Sequence, residues 1–284
     1  MTEVRLSNDQ LQVAIESFGA QIISVFDQNK RERIWQADPK IWGRHAPILF
    51  PIVGRLVDDQ YVYQGQTYHL TQHGFARDQE FNIIAQNKTS VTFELRQLQL
   101  QKDYPFCYSL QISYELYANI IQVSYNVQNL SIADLMYFSI GGHPAFNFAY
   151  RSKMAQLRFA KPESMRELGF TADNLVDISI AKAVPSIMDL SAQSFVNDTH
   201  IFQNAVNNIV ALVQDGQTQV TLTTNAPYIG VWSPYDTPAD FVCIEPWWGV
   251  ADTVNNDGQL GHKFGINQLQ PKQVFNAFWQ VCFN

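Results

Sequence analysis

Apolar and polar residues alternate with period 2 through most of the chain. Val91, Phe93 and Leu95 alternate with Thr92 and Glu94, and Leu110, Ile112, Tyr114 and Leu116 with Gln111, Ser113 and Glu115. Val123, Tyr125 and Val127 repeat the pattern, as do Phe275, Ala277, Trp279, Val281 and Phe283 near the C-terminus. Successive side chains of a strand point to opposite faces, so each segment predicts a strand with one buried face. Turn signals separate the runs: Asp58-Asp59, Gln64-Gly65-Gln66, Asp215-Gly216 and Asp257-Gly258. Asp215-Gly216, between apolar residues 209–213 and 220–222, predicts a hairpin. The one helical signal is residues 161–169, Lys-Pro-Glu-Ser-Met-Arg-Glu-Leu-Gly, with proline near the first turn and glycine past the end. It predicts one short helix. Many strands joined by short polar turns, with almost no helical crossovers, predict an antiparallel all-β protein with few short helices. No linker, composition shift or fixed-period repeat divides the chain, so residues 1–284 are expected to form a single domain, one large β-sandwich.

Composition narrows the classes. Of 284 residues 16% are charged, with 26 acidic against 19 basic side chains and a net charge of −7. The charged fraction is well below the usual ~25%, with neutral polar residues, especially Gln and Asn, in place of charges. Disorder requires low hydrophobicity with high net charge, the opposite of a chain that is 46% hydrophobic. An acidic chain without a Lys/Arg run lacks the charge that neutralises phosphates, so nucleic acid is not an expected partner. Cys107, Cys243 and Cys282 are far apart and form no C-x-x-C pair. The N-terminal Met-Thr-Glu-Val-Arg carries an acid and no apolar block behind it, unlike a signal peptide. No run approaches the ~18 apolar residues of a membrane helix. A soluble, cytoplasmic, reduced protein is expected, with no membrane partner.

Four stretches break the alternation and concentrate reactive side chains. Residues 43–55, Gly-Arg-His-Ala-Pro-Ile-Leu-Phe-Pro-Ile-Val-Gly-Arg, carry two prolines inside an apolar run, which excludes an ordinary central strand. Arg44 and Arg55 bracket it; Arg55 follows Gly54, where the backbone is bare, and is the better ligand contact. In residues 72–77, Gln-His-Gly-Phe-Ala-Arg, His73 stands beside Gly74, where the chain can turn sharply and a ligand can approach the backbone. In residues 139–146, Ser-Ile-Gly-Gly-His-Pro-Ala-Phe, His143 precedes Pro144 and should stand at a strand end or rim. In residues 241–249, Phe-Val-Cys-Ile-Glu-Pro-Trp-Trp-Gly, Glu245 is a carboxylate among apolar neighbours. Burying such a charge is costly, so it is either paired with a cation or tuned for proton transfer by desolvation. Glu245 also precedes a proline, which places it where a strand stops. Trp247 and Trp248 follow; one serves as core, and a Trp beside a carboxylate can also offer a platform to a sugar face.

Two histidines, a semi-buried carboxylate, arginine and Trp make an acid–base site without a nucleophile. No Ser or Cys occupies a G-x-S-x-G context. The histidines lack the close spacing of H-E-x-x-H, so no metal is expected, and a zinc site assembled from His73, His143 and Glu245 ranks well behind. No glycine-rich phosphate loop opens a helix, so no nucleotide cofactor is expected. No second carboxylate in a comparable context accompanies Glu245, against a two-carboxylate glycosidase.

Gly54-Arg55, His-Gly-Phe-Ala-Arg at 73–77, Gly-Gly-His-Pro-Ala-Phe at 141–146 and Cys-Ile-Glu-Pro-Trp-Trp-Gly at 243–249 occur in an order that resembles the aldose 1-epimerase (galactose mutarotase-like) family, in its LacX-type branch. Gly19-Ala20-Gln21-Ile22, Lys263-Phe-Gly-Ile and Leu269-Gln-Pro extend the resemblance over nearly the whole chain. It implies a large antiparallel β-supersandwich with a sugar site in an open groove and a cofactor-free interconversion of α and β anomers. By this resemblance Glu245 is the base that takes the proton from the anomeric hydroxyl, and His143 the acid that protonates the ring oxygen. His73 binds and polarises the sugar, and Arg55 binds its hydroxyls. Asp198, in Phe195-Val-Asn-Asp-Thr-His200, corresponds to a sugar-binding aspartate or is an ordinary loop residue. The same His-Gly-Phe-Ala-Arg motif also resembles a hexose-6-phosphate mutarotase branch. There Arg77, with Arg44, would hold the phosphate; alternatively Arg77 pairs with Asp78 or Glu80 and orders the loop. A non-catalytic carbohydrate-binding or sensor protein of the same fold is the alternative from another class, and the intact His73, His143 and Glu245 set speaks against it.

Overall fold

The computed structural model describes residues 1–151 and 154–284. Every regular element among them is a strand or a 3-10 turn, and every strand pairing is antiparallel. Nine strands form one sheet in the order Ile187–Asp189, Ala155–Phe159, Asn208–Gln214, Gln217–Thr224, Val274–Phe283, Ile120–Asn129, Tyr108–Tyr117, Ser90–Gln97 and Asn82–Gln86. A second sheet of eight runs Val176–Ala183, Met165–Phe170, His200–Asn204, Tyr228–Trp232, Phe241–Trp248, Ile140–Gly142 and Ile48–Leu49, with Ala145–Asn147 also paired to Phe241–Trp248. A three-stranded sheet, Glu3–Ser7, Leu11–Glu16 and Gln21–Asp27, joins the same core.

The alternation in the sequence is the burial pattern of the large sheet. Ile112, Tyr114, Val123, Tyr125, Trp279 and Val281 are buried in the shared core, while the residues between them reach solvent. Phe241–Trp248 behaves differently, being buried at all eight positions. Val242, Ile244 and Trp248 enter the core between the sheets. Phe241 and Cys243 join one smaller apolar cluster on the opposite face and Trp247 another. Period 2 therefore places Glu245 on that outer face, between the two clusters. Glycines make room for the Trp247 ring there. A Cβ on Gly141 would lie 2.6 Å from its Cδ1, and one on Gly230 2.4 Å from its Cζ2.

The hairpin at Asp215-Gly216 forms as expected, with both residues at positive φ (50° and 80°), the geometry of a type I′ turn. The helix expected over residues 161–169 does not form. Pro162–Ser164 is a single 3-10 turn, and Met165–Phe170 is a strand paired on both sides. Met165 and Leu168, three apart, suit one face of a helix, but here they lie in different apolar clusters, one on each side of the sheet. Glu245 does not stand at a strand end either: its strand continues through Pro246 to Trp248. The proline falls where pairing to the 140–147 segment is interrupted between Gly141 and Ala145, so its missing N–H costs no ladder bond on that side.

A buried ion pair closes the segment after this strand on itself and on the Val57–Asp59 turn. Lys263 Nζ lies 2.8 Å from Asp252 Oδ1, with side chains 1% and 2% exposed, and Asp252 Oδ2 accepts the Val57 N–H at 3.0 Å. Lys263→Met should therefore cost about 3–5 kcal/mol by stranding Asp252 as an unpaired buried charge. Urea unfolding measures this, and an unchanged midpoint would contradict it. Gly230→Ala should cost about 1–3 kcal/mol by overpacking against Trp247. The same variant should show altered Trp fluorescence, because the added methyl cannot coexist with the present ring position.

Candidate active site

Strand register brings the acid–base candidates together. Gly141 opposes Trp247 and Ala145 opposes Cys243, so His143, midway between them, falls opposite Glu245. The chain leaves the ladder there, and the His143 N–H donates instead to the Pro47 carbonyl at 3.0 Å. His143 Nε2 lies 3.2 Å from Glu245 Oε2. On the other side Glu245 is paired with Gly230, which has no side chain to crowd the carboxylate. His143 is thus at a break between strands as expected, yet it is enclosed rather than on an open rim, with only 8% exposure. Its ring stacks on Trp42 at 4.9 Å and meets the edges of Trp232 and His73.

His73 reaches the same place from a separate turn. His73 and Gly74 both have positive φ (67° and 68°), and a Cβ on Gly74 would lie 2.5 Å from the Phe50 carbonyl oxygen. The close approach anticipated at this glycine is thus made by the protein's own backbone. The His73 N–H donates to the Gly54 carbonyl at 2.8 Å, and the Gly54 N–H donates to His73 Nδ1 at 3.1 Å. With Nδ1 accepting, a neutral ring carries its proton on Nε2, free to donate elsewhere.

These residues line a cavity of about 240 Å³, together with Trp42, Gln72, Arg77, Phe170, Asp198, Thr199, Trp232 and Trp247. Of the sugar-contact candidates, Arg77, Asp198 and Trp247 are in its wall; Arg55 is not, although Gly54 is. Arg55 Nε instead lies 3.5 Å from Asp59 Oδ1. Trp247 is 4% exposed and packs flat over the sheet, while Trp248 goes to the core. Arg77 Nη2 donates to the Gln72 carbonyl at 2.6 Å, and its Nε, 3.7 Å from Asp78, is buried without a hydrogen-bond partner. Arg44 pairs with Asp78 at 3.0 Å. Trp42, one residue before the first motif, and Trp232 were not among the residues the sequence singled out. Trp232 is an outward position of the Tyr228–Trp232 strand, and its alternation with Val231 was the available signal.

Burial dominates the electrostatics. It raises Glu245 well above the usual carboxyl range; the nearby Trp247 indole N–H opposes the shift and the Asp198 charge adds to it. It also lowers His143 to about 3, its own backbone opposing and the Arg77 and Arg44 charges reinforcing the shift. His73 is lowered well below its ordinary value by burial and then by His143, Arg77 and Arg44. Both members of the Glu245–His143 pair thus favour their uncharged forms, and the pair holds one proton as a unit. The ligand atoms of His143, Cys243 and Glu245 lie within 4.8 Å of one another, so Cys243 rather than His73 completes the group that could meet a metal ion. Burial, with Glu245 adding to it, raises Cys243 well above the ordinary thiol value.

Comparison with known proteins places this arrangement. Residues 2–274 match the family model described as aldose 1-epimerase. The chromosomal protein LacX of Lactococcus lactis subsp. lactis is 28% identical over 296 aligned positions covering 98% of each chain. A galactose mutarotase related enzyme from Lactobacillus acidophilus is 37% identical, with a TM-score of 0.93 over 100% of this chain and 97% of its own. A galactose mutarotase-like protein from Lactobacillus casei is 26% identical, with a TM-score of 0.91 and full coverage of both chains. The all-β architecture is accordingly the galactose mutarotase-like fold. The chain belongs to the aldose 1-epimerase family.

Proposed function

We propose that the protein is a mutarotase that interconverts the α and β anomers of a hexose by opening and reclosing the ring. The observation that carries this is the buried contact of His143 Nε2 and Glu245 Oε2 at 3.2 Å in the cavity wall. The cavity lies below the ~300–1,000 Å³ of sites for drug-sized ligands and suits a single sugar ring. In the reacting complex Glu245 is the carboxylate and His143 the imidazolium. Glu245 takes the O1 proton, C1–O1 becomes a carbonyl as C1–O5 breaks, and O5 takes the proton from His143. Rotation about C1–C2 presents the other carbonyl face, and the reverse transfers close the other anomer. His73, neutral with Nε2–H free, donates to a sugar oxygen and polarises it.

The proton count suits this cycle. Empty, the pair holds its single proton on Glu245; a sugar hydroxyl donating to the carboxylate compensates its charge and lets the proton sit on His143. Ring opening then returns both groups to their uncharged forms, the state that burial favours. The low-dielectric site therefore helps the step in which charge disappears.

Arg77 favours a second version of this substrate. Arg77 is in the cavity wall with a buried guanidinium Nε that makes no hydrogen bond and lies 3.7 Å from Asp78, which suits an anionic group, and a 6-phosphate would supply one. Burial and Arg44 lower the Arg77 pKa to about 10, so it stays charged at neutral pH.

Glu245→Gln should lower the anomerisation rate about 10²–10⁴-fold, followed by polarimetry or NMR from pure α-glucose, α-galactose and their 6-phosphates. Wild-type rates in that variant would remove Glu245 from the mechanism. A preference for the phosphates that disappears in Arg77→Ala would assign the anion to Arg77. The pH profile gives a separate check. The second proton enters His143 only near its lowered pKa of about 3, and the first leaves only above the ordinary carboxyl range. Hence kcat/KM, which reports the free enzyme, should show no acid limb near pH 6.5, the ordinary histidine value, and should fall on the alkaline side as the pair loses its proton above the ordinary carboxyl range. An acid limb centred near pH 6.5 would contradict the shared-proton pair.

A further inference from the structure

His200 stands outside the catalytic pair, and both its ring nitrogens face acceptors. Nδ1 lies 2.6 Å from Glu167 Oε1, and Nε2 lies 2.6 Å from the Ser194 carbonyl oxygen. A neutral imidazole can donate from one nitrogen only, so making both bonds at this length requires the imidazolium. The ring lies parallel to Phe202 and meets the edge of Phe195.

The two acceptors belong to two walls of the sugar cavity. Glu167 is on Met165–Phe170, whose Phe170 lines the cavity. Ser194 is in the 3-10 turn Ala192–Phe195, from which the chain runs directly to Asp198 and Thr199, also in the wall. The turn is anchored by buried Phe195, packed on Tyr150 at 5.4 Å. Beyond it Val196 is half exposed, and Asp198 is held by its N–H to the Phe195 carbonyl and sits at φ 70°. This wall of the cavity thus depends on how the turn is held.

We propose that His200 is a positioning residue for the sugar site: as an imidazolium bridging Glu167 and Ser194 it latches residues 191–199 so that Asp198 and Thr199 form the cavity wall, and losing its proton loosens that wall. The consequence for sugar rests on the mutarotase function proposed above; the latch itself does not. The charges around His200 are Glu167, Lys182 from the neighbouring strand, which is the register partner of Glu167, and Asp198, which lines the same cleft. Arg166 is turned to Gln203, and neither Ala192–Phe195 nor Tyr228–Trp232 carries a charged residue. Burial lowers the His200 pKa, but the Glu167 and Ser194 bonds outweigh it and the net shift is upward. Raised above its unfolded value, the latch is fully present below about pH 6.5 and is lost as pH rises through the folded pKa.

Imidazole nitrogen NMR on the full chain tests the protonation state: at pH 6 His200 should show protons on both nitrogens. Hydrogen-exchange protection of the Asp198 N–H, corrected for intrinsic rate, should fall as His200 titrates. The KM for galactose should rise about tenfold across that titration, a coupling of ordinary size, without a matching inflection in kcat. Glu167→Gln should move both the His200 titration and the KM rise to lower pH. His200→Gln should give a high KM with this pH dependence removed. A single neutral tautomer at pH 6, or a KM profile unmoved in Glu167→Gln, overturns the latch. Absence of anomerisation at every pH overturns the mutarotase function; loop protection that still follows His200 would then uphold the latch.

Discussion

The site depends on one placement, a carboxyl and an imidazole set opposite each other on neighbouring segments of a sheet that is apolar on both faces. The Phe241–Trp248 strand is interior at every position, and Glu245 is 1% exposed, so its charge is poorly solvated. His143 is brought to it by strand register and not by a flexible arm. Gly230, on the other side, contributes no bulk. The resulting pair cannot keep two charges cheaply, and its preferred state is the uncharged one reached when a sugar ring opens. Fold and proposed chemistry meet in that constraint.

Nearby groups tune the same pair. Arg77 and Arg44 resist a second proton on His143 and keep His73 neutral. Asp198 acts in the other direction, helping Glu245 retain its proton. Asp198 lies beyond the turn that His200 grips, so the position of that wall depends on a contact outside the Glu245–His143 pair.

Much of this was legible in the sequence. Period-2 alternation located Ser90–Gln97, Tyr108–Tyr117, Ile120–Asn129 and Val274–Phe283, because one face of each is buried and the other wet. The breaks in that alternation located His73, His143 and Glu245, polar groups in apolar sequence context that the fold brings to one cavity. Alternation fails where both faces of the sheet are covered. Met165 and Leu168 then mimic a helix, and Pro246 signals a strand end at Glu245 although that residue stands mid-strand. Arg55 illustrates a different limit: adjacency to Gly54 in the chain does not decide which way a side chain leaves, and here it leaves towards Asp59.

Trp42 and Trp232 show what local pattern cannot supply. Each lies in an unremarkable apolar context, and their importance comes from packing against His143, at 4.9 and 5.8 Å, on the face away from the main core. Aromatic rings exclude water from the imidazole without offering it a competing hydrogen-bond acceptor. That is the environment that lowers the basicity of His143 while leaving Nε2 directed at Glu245. The apolar satellite clusters therefore set the basicity of His143: without them it would titrate closer to its ordinary value.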